Sequence, residues 1–507
     1  MLGAIACGGS SKRHEPTAPE LVAFVDGKSV FGPATEWMKS DLPDVGETGL
    51  FPARTPEQCE VAVLHSGEDS FAARMALLSR AKHSIRIEAL IFTGDEAGLR
   101  VAEVLKQKKA AGVDVKVIVD GLSNSSLQTQ WMYFDLKQHG IEVEGYEAIG
   151  LQLINEIPNP LVTPWHRDPA RPNSRYHEKL WIVDPDEPDA EAVMGGLNIA
   201  NEYFRVDPTN VPRYWRDQDV IVRGVVLADL TATFDRNFAH FKDLKRDRGG
   251  LTDAAWAATR KIMDKTGAPT IAFERRDELV RTVAAFEART PDLDYQPAQC
   301  RFLWSRPRLH ESYIQQAYLK LLATARKEVL IGNAYFVPTP SVRLAIEKAA
   351  RRCVRVSLLS NGPETNDEPG MNLLSRAYYA ELLAVNASPE VTACKQPAGV
   401  EIWEWQGKAA SDATQTQGLY HAKFAVVDRT LSLVGSYNLD PRSEIHNSET
   451  AIVFEQPALA AQLISLYEHD LTTSRRITDA EAAGFEKPDS VQRRMKKDFA
   501  ALFESQL

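Results

Sequence analysis

The chain of 507 residues has no apolar run of the ~18 to 20 residues that a membrane-crossing helix requires, so no transmembrane segment is readable. It has no basic excess either: 59 Lys and Arg stand against 69 Asp and Glu, for a net charge of −10. Proteins that bind nucleic acid regardless of sequence usually carry a basic footprint, so nucleic acid is not the first-choice partner. A basic cleft inside an acidic surface would still fit these totals. Cysteine is scarce, with five in all (Cys7, Cys59, Cys300, Cys353, Cys394) and no C-x-x-C pair or His/Cys cluster. Neither a zinc site nor a disulfide framework is therefore readable, and the apolar neighbours of Cys300, Cys353 and Cys394 mark them as buried thiols.

What the chain does have is the pattern H-x-K-x-x-x-x-D, twice. His177-Glu178-Lys179 runs through Leu-Trp-Ile-Val to Asp184. His421-Ala422-Lys423 runs through Phe-Ala-Val-Val to Asp428, 244 positions later (421 − 177). Each copy is followed by a small-residue turn and an asparagine, Gly195-Gly196-Leu197-Asn198 and Gly435-Ser436-Tyr437-Asn438. Ala81 to Phe92 matches Ala325 to Phe336 at the same offset of 244. Doubling with matched sequels implies one site on a pseudo-two-fold axis, each half supplying one histidine, one lysine and one asparagine.

Period-two geometry puts His and Lys of each copy on one face of a strand. The apolar residues that follow bury that strand on both faces, so the two heads should emerge at a lined cleft. Two lysines and two asparagine amides around one point suit a tetrahedral phosphoryl group, with Asn198 and Asn438 as its amide donors. Two histidines add the chemistry: one neutral imidazole attacks phosphorus while the other, protonated, gives its proton to the leaving oxygen. Each ring needs an orienting carboxylate, and the candidates are Asp217 in Trp-Arg-Asp and Glu449 in Asn-Ser-Glu, each just ahead of an apolar strand. Asp184 and Asp428 complete the motif. Standing at the strand ends, they are better placed to brace the backbone and the lysine environment. No carboxylate cluster at metal spacing accompanies the motifs, so neither a metal nor another cofactor is expected.

This set of residues resembles the phospholipase D superfamily, whose signature is the doubled His-Lys-Asp motif. Gly-Ser-Tyr-Asn-Leu-Asp-Pro-Arg-Ser after the second copy, and Gly-Gly-Leu-Asn-Ile-Ala-Asn-Glu-Tyr-Phe after the first, are most similar to the bacterial cardiolipin synthase branch. The resemblance runs from about residue 64 to about 470. It implies a phosphatidyltransferase working through a phosphohistidine, with His177, Lys179, Asp184, His421, Lys423 and Asp428 as the catalytic set. It also implies His177 as nucleophile and His421 as general acid. Phospholipids (phosphatidylglycerol, phosphatidylethanolamine or cardiolipin-type) would be the substrates, at a bacterial membrane surface to which the protein binds peripherally. A hydrolytic phospholipase D, another phosphodiesterase such as a nuclease, and a lipid-binding surface protein with an inert site are the alternatives. Neither the acceptor nor the oligomeric state is readable.

Strands alternating with helical stretches predict an α/β fold: two pseudo-symmetric α/β/α sandwich domains of phospholipase D type, sharing one active site at their interface. The expected boundaries are an N-terminal extension over 1–60, domains over 61–241 and 301–470, a charged segment over 242–300 and a helical extension over 471–507. Leu2 to Ser11 is similar to the tail of a bacterial lipoprotein signal but lacks a basic region and a full apolar stretch. Either Cys7 carries a lipid anchor behind an upstream leader, or the likeness is accidental. The apolar stretch Ile149 to Trp165 reads equally as an acyl-chain gate or as a packed connection. Val491, Met495, Phe499 and Leu502 form a helical stripe beside basic residues, expected to dock on the core rather than lie on anionic lipid. Cys353 stands where the first half has Gly112, at a predicted helix end that favours positive φ.

Overall fold

The computed structural model of the chain describes residues 57–120, 123–145, 175–206, 213–247, 293–307, 311–368, 370–408 and 417–486, with isolated positions 261, 265 and 291. The expectations for Cys7, for Ile149 to Trp165, for most of 242–300 and for Val491 to Leu502 lie outside these residues.

The first half contributes β1 (Glu57–Leu64), β2 (Ser84–Ala89), β3 (Asp114–Val119), β4 (Glu142–Glu144), β5 (Leu180–Val183), β6 (Glu191–Gly195), β7 (Tyr214–Arg216) and β8 (Asp219–Gly224). The second contributes β9 (Gln296–Arg306), β10 (Glu311–Ser312), β11 (Glu328–Asn333), β12 (Arg355–Asn361), β13 (Gly399–Trp405), β14 (Gln417–Tyr420), β15 (Lys423–Val427), β16 (Leu431–Gly435), β17 (Glu449–Glu455) and β18 (Ser474–Arg476). The same pairings recur in each. β2, β3 and β4 run parallel, as do β11, β12 and β13, with helices such as Glu96–Ala110 and Pro340–Arg351 making the crossovers. On the other side the ladders are antiparallel, through β5, β6 and β8 in one half and β15, β16 and β17 in the other.

The motif strands β5 and β15 are buried at every position, which is why their sequences are apolar on both faces. One apolar cluster lies between each half-sheet and its outer helices, including Phe71, Val101 and Leu105 in the first half and Ile314, Leu322 and Ile346 in the second. A third lies on the opposite face, where Phe234 and Phe238 of helix Val226–Asp247 and Leu463 and Tyr467 of helix Pro457–Leu471 meet strands of both halves. Each half is thus an α/β/α sandwich. Among the described residues no helix is long and apolar enough to cross a membrane.

Two features depart from the sequence expectation. The sheets are not separate: β1 and β9 pair antiparallel, Glu57 opposite Cys300 and Val61 opposite Gln296, so the half-sheets fuse into one 16-stranded sheet. Each would otherwise present an edge strand with unpaired backbone groups, and the two edges satisfy one another. Cys300, Cys353 and Cys394 are also not buried thiols: Cys353 and Cys394 are only half-buried, and all three are disulfide-bonded. Cys59 and Cys300, Cα atoms 6.1 Å apart, are disulfide-bonded across this seam, and Cys353 is bonded to Cys394 with Cα atoms 5.5 Å apart. Sequence separations of 241 and 41 gave no hint of either proximity. Cys353 does close its helix with φ at 64°, as Gly112 does at 93°.

Candidate active site

Each motif histidine sits where the chain leaves its own half-sheet and reaches for the other half. Tyr176 bridges to Ser448, and the backbone N–H of His177 donates to the Ser448 carbonyl at 3.0 Å. In the equivalent place β14 pairs with β7, and the His421 N–H donates to the Arg216 carbonyl at 2.6 Å. Ser448 and Arg216 immediately precede Glu449 and Asp217. The backbone therefore delivers each imidazole to the acid of the opposite half: His177 Nδ1 lies 2.7 Å from Glu449 Oε2, and His421 Nδ1 lies 2.6 Å from Asp217 Oδ2. A carboxylate accepts and does not donate, so each Nδ1 carries the proton and each Nε2 presents a lone pair. Both imidazoles line one cavity of about 370 Å3.

The acids are held differently. Glu449 accepts from the hydroxyls of Ser436 at 2.6 Å and Ser443 at 3.0 Å and from the Asn447 amide at 3.2 Å. Asp217 accepts from the Gln218 backbone at 2.7 Å. Opposite it stands Gly196, the counterpart of Ser436, where any side chain would run into the Asp217 carboxylate. Asn198 and Asn438 both line the cavity. Asn198 is fixed by accepting from the Ile91 backbone at 3.1 Å and donating to the Tyr203 hydroxyl at 2.8 Å.

The lysines depart from expectation. Lys179 and Lys423 are fully buried and do not form part of the cavity wall. Lys179 Nζ donates to the His177 carbonyl at 2.7 Å, and Lys423 Nζ donates to that of His421. They lie behind the histidines and reach the cavity through their field. Asp184 and Asp428 stand apart from the cavity wall at the far ends of the motif strands. Asp184 accepts from the backbone N–H groups of Lys82, His83 and Ser84 at 2.6–2.8 Å, and Asp428 from those of Arg326, Lys327 and Glu328 at 2.7–3.0 Å. Each carboxylate is thus committed to three backbone amides at the other strand end, the bracing placement expected from their position in the motif.

Burial dominates the electrostatics and disfavours every charge in the cluster. It pushes the Asp217 carboxyl up to about 6 and Glu449 up to about 7, with the lysines pulling the other way. It pushes Lys179 down to about 7 and Lys423 down to about 8. Both imidazoles fall well below their ordinary value, by burial first and then by the two lysines, with Arg442 adding to the effect on His177. An arriving phosphodiester anion acts in the opposite sense and draws protons onto the same groups. Among the described residues no cluster of His, Cys, Asp and Glu could hold a metal ion.

Several wall residues escape motif reading: Tyr203, Trp215, Tyr335, Arg175, Arg442, Asp367 and Glu368. The rings of Tyr203, Trp215 and Tyr335 have centroids 5.3, 5.6 and 6.4 Å from that of His421. Arg442 and Tyr203 stood in the strings after the asparagines and were findable there. Tyr335, Asp367 and Glu368 carried no signal.

The sequence profile of a family described as "Cardiolipin synthase, PLD-like domain" matches residues 75–239 and 318–471, so each match carries one motif. The chain belongs to this family. A cardiolipin synthase of Halalkalibacterium halodurans is 25% identical over 82% of this chain and 66% of its own length. A probable cardiolipin synthase of Bacillus subtilis is 24% identical over 88% of this chain and 72% of its own. The chain thus spans about two thirds of the length of these relatives. The crystal structure of a phosphatidylserine synthase from Haemophilus influenzae superposes over 88% of this chain and 95% of its own, with a TM-score of 0.58 at 17% identity, and shares the fold.

Proposed function

We propose that this family member is a phosphatidyltransferase of cardiolipin synthase type, acting peripherally at a bacterial membrane. The observation that carries the reading is the pair of imidazoles, each oriented by the other half's carboxylate, facing one cavity. Nε2 of His177 attacks the phosphorus of a phosphatidyl donor, such as phosphatidylglycerol or phosphatidylethanolamine. A P–N bond forms as the P–O bond to the head-group alcohol breaks, and that oxygen takes the proton from Nε2 of His421. An acceptor hydroxyl then gives its proton to His421 and attacks phosphorus, releasing His177. Asn198 and Asn438 hold the phosphoryl oxygens, and Lys179 and Lys423 offset the charge from behind. Arg442 opposes protonation of His177, which suits a nucleophile. The hydrogen bond between His421 and the Gly196 backbone favours the protonated ring, which suits an acid.

The test supplies labelled phosphatidylglycerol or phosphatidylethanolamine with and without an acceptor alcohol. A transfer product is expected. Phosphatidic acid alone would make the protein a hydrolase, and preferential cleavage of a nucleic-acid phosphodiester would overturn the lipid assignment. A chelator should leave turnover unchanged, because the positive charge in this scheme comes from side chains. Loss restored by one particular cation would overturn the scheme.

A further inference from the structure

Beneath the first motif lies a polar network that the chemistry above does not use. Glu178, between His177 and Lys179, points away from the cavity. Its carboxyl and that of Glu88 are both 0% exposed and are linked through the Tyr176 hydroxyl and the Asn237 amide. The Tyr176 hydroxyl donates to Glu88 at 2.7 Å, and the Asn237 amide donates to the Tyr176 oxygen at 2.5 Å and to Glu178 at 3.4 Å. Arg306, also buried, donates to the Asn237 carbonyl at 3.3 Å. Two carboxyls buried side by side repel when both are ionised, which favours a single negative charge between them. Burial, then the charge of Glu178, pushes the Glu88 carboxyl well up.

The network brackets one histidine–acid pair. Tyr176 immediately precedes His177, and Arg306 immediately follows Ser305, which pairs directly with Glu449 in the sheet. The second half lacks the carboxyl pair, with Gly332 and Ala422 at the positions of Glu88 and Glu178 at the same offset of 244, and has instead the ion pair of Arg216 and Asp470 beside Tyr420. There the hydroxyl of Tyr420, the counterpart of Tyr176, has no hydrogen-bond partner among the described residues, and it occupies the space a side chain at Gly332 would need.

We propose that the buried network of Glu88, Glu178, Tyr176, Asn237 and Arg306 positions His177 against Glu449 and so sets how its imidazole enters the cavity. These are positioning residues that never touch substrate, and the catalytic part of the inference rests on the function proposed above. The test is Tyr176→Phe, which removes one hydroxyl from a fully buried ring, beside Glu88→Gln, which keeps an acceptor for that hydroxyl. Histidine ring-nitrogen resonances, assigned by their loss in His177→Asn and His421→Asn, give a readout independent of turnover. In Tyr176→Phe the His177 resonance should shift and the His421 resonance should not, while Glu88→Gln restores the wild-type position. Turnover should fall about tenfold in Tyr176→Phe, with the substrate pattern of a weakened His177, and stay within about threefold of wild type in Glu88→Gln. Unmoved resonances, or equal shifts of both, would overturn the positioning role even if the enzyme is active. A selective His177 shift in a protein without lipid turnover would uphold it and sink the proposed function instead.

Discussion

His177 and His421 enter one cavity from equivalent strands, each against the acid of the other half, yet their surroundings share little. His421 stands among the rings of Tyr203, Trp215 and Tyr335. His177 stands beside the charge of Arg442, above a buried polar network, and against an acid held by two serines and an asparagine. Where the second half has Arg442 after its motif, the first has Glu202 in the matching string. The repeat therefore fixes where two imidazoles stand, and the residues that break the repeat give the two rings different surroundings. In the proposed scheme the duplicated backbone would supply the symmetry that lets the two histidines exchange roles between steps, and the unlike side chains would supply its direction.

The largest effects should come from the rings themselves. His421→Asn should lose ~10² to 10⁴-fold on lipid yet keep much of its rate on a nitrophenyl phosphodiester, whose leaving group needs little protonation. His177→Asn should be inactive on both substrates. The opposite pattern would exchange the roles, and near-full lipid turnover in both single variants would end the two-histidine scheme.

Next come the acids, where the crossed pairing makes an unusual claim. Asp217→Asn should copy the His421→Asn pattern and Glu449→Gln the His177→Asn pattern, each at a cost of ~10² to 10³-fold, because an amide permits the wrong tautomer. If each acid variant instead copied the histidine of its own half, the crossed geometry would be wrong.

A smaller effect follows from the buried lysines. With Lys179 held down to about 7 and Lys423 to about 8, raising the pH through this window removes the charge behind the histidines. kcat/KM should therefore fall on the alkaline side, between roughly pH 7 and 8.5. Stability should respond with the opposite sign. Lysines in the unfolded chain stay protonated to about pH 10, so the folded state binds fewer protons in between and their contribution rises with pH. A flat alkaline kcat/KM profile up to pH 9 would mean the lysines stay charged.

The smallest effect on chemistry should come from the motif aspartates. Asp184→Ala and Asp428→Ala each leave three backbone amides without their acceptor and should cost about 2 to 4 kcal/mol of stability, read as a lower Tm. Rate per folded molecule should stay within about threefold. A large loss of rate at unchanged Tm would return the aspartates to the catalytic set.

Much of this was legible in the sequence, for identifiable reasons. The strands around Leu180 and Phe424 announced themselves because a strand buried on both faces must be apolar throughout, and the shared offset revealed the second half. His177, His421, Asn198 and Asn438 lie in the motifs or their sequels, and all four line the cavity. Asp217 and Glu449 could be nominated from the apolar strands behind them, but not matched to a ring. That pairing depends on which half donates the strand, and local spacing carries no such information. The fused sheet and the two disulfides were hidden because each joins segments far apart in the chain. The lysines misled in a different way: their place on the histidine face was correct, but at the end of a buried strand a long side chain can turn back to its own histidine's carbonyl.

The crossed acids also bear on ancestry. Cut at the midpoint, either half would keep a histidine while its acid remained on the other piece, so neither fragment holds an oriented imidazole. A half-length ancestor carrying one motif could have built this cavity only by meeting a second copy of itself, each lending its acid to its twin. Joining two such copies in one chain would free them to diverge, and Arg442, Glu202 and the aromatic wall beside His421 are the kind of difference that no identical pair of subunits could hold.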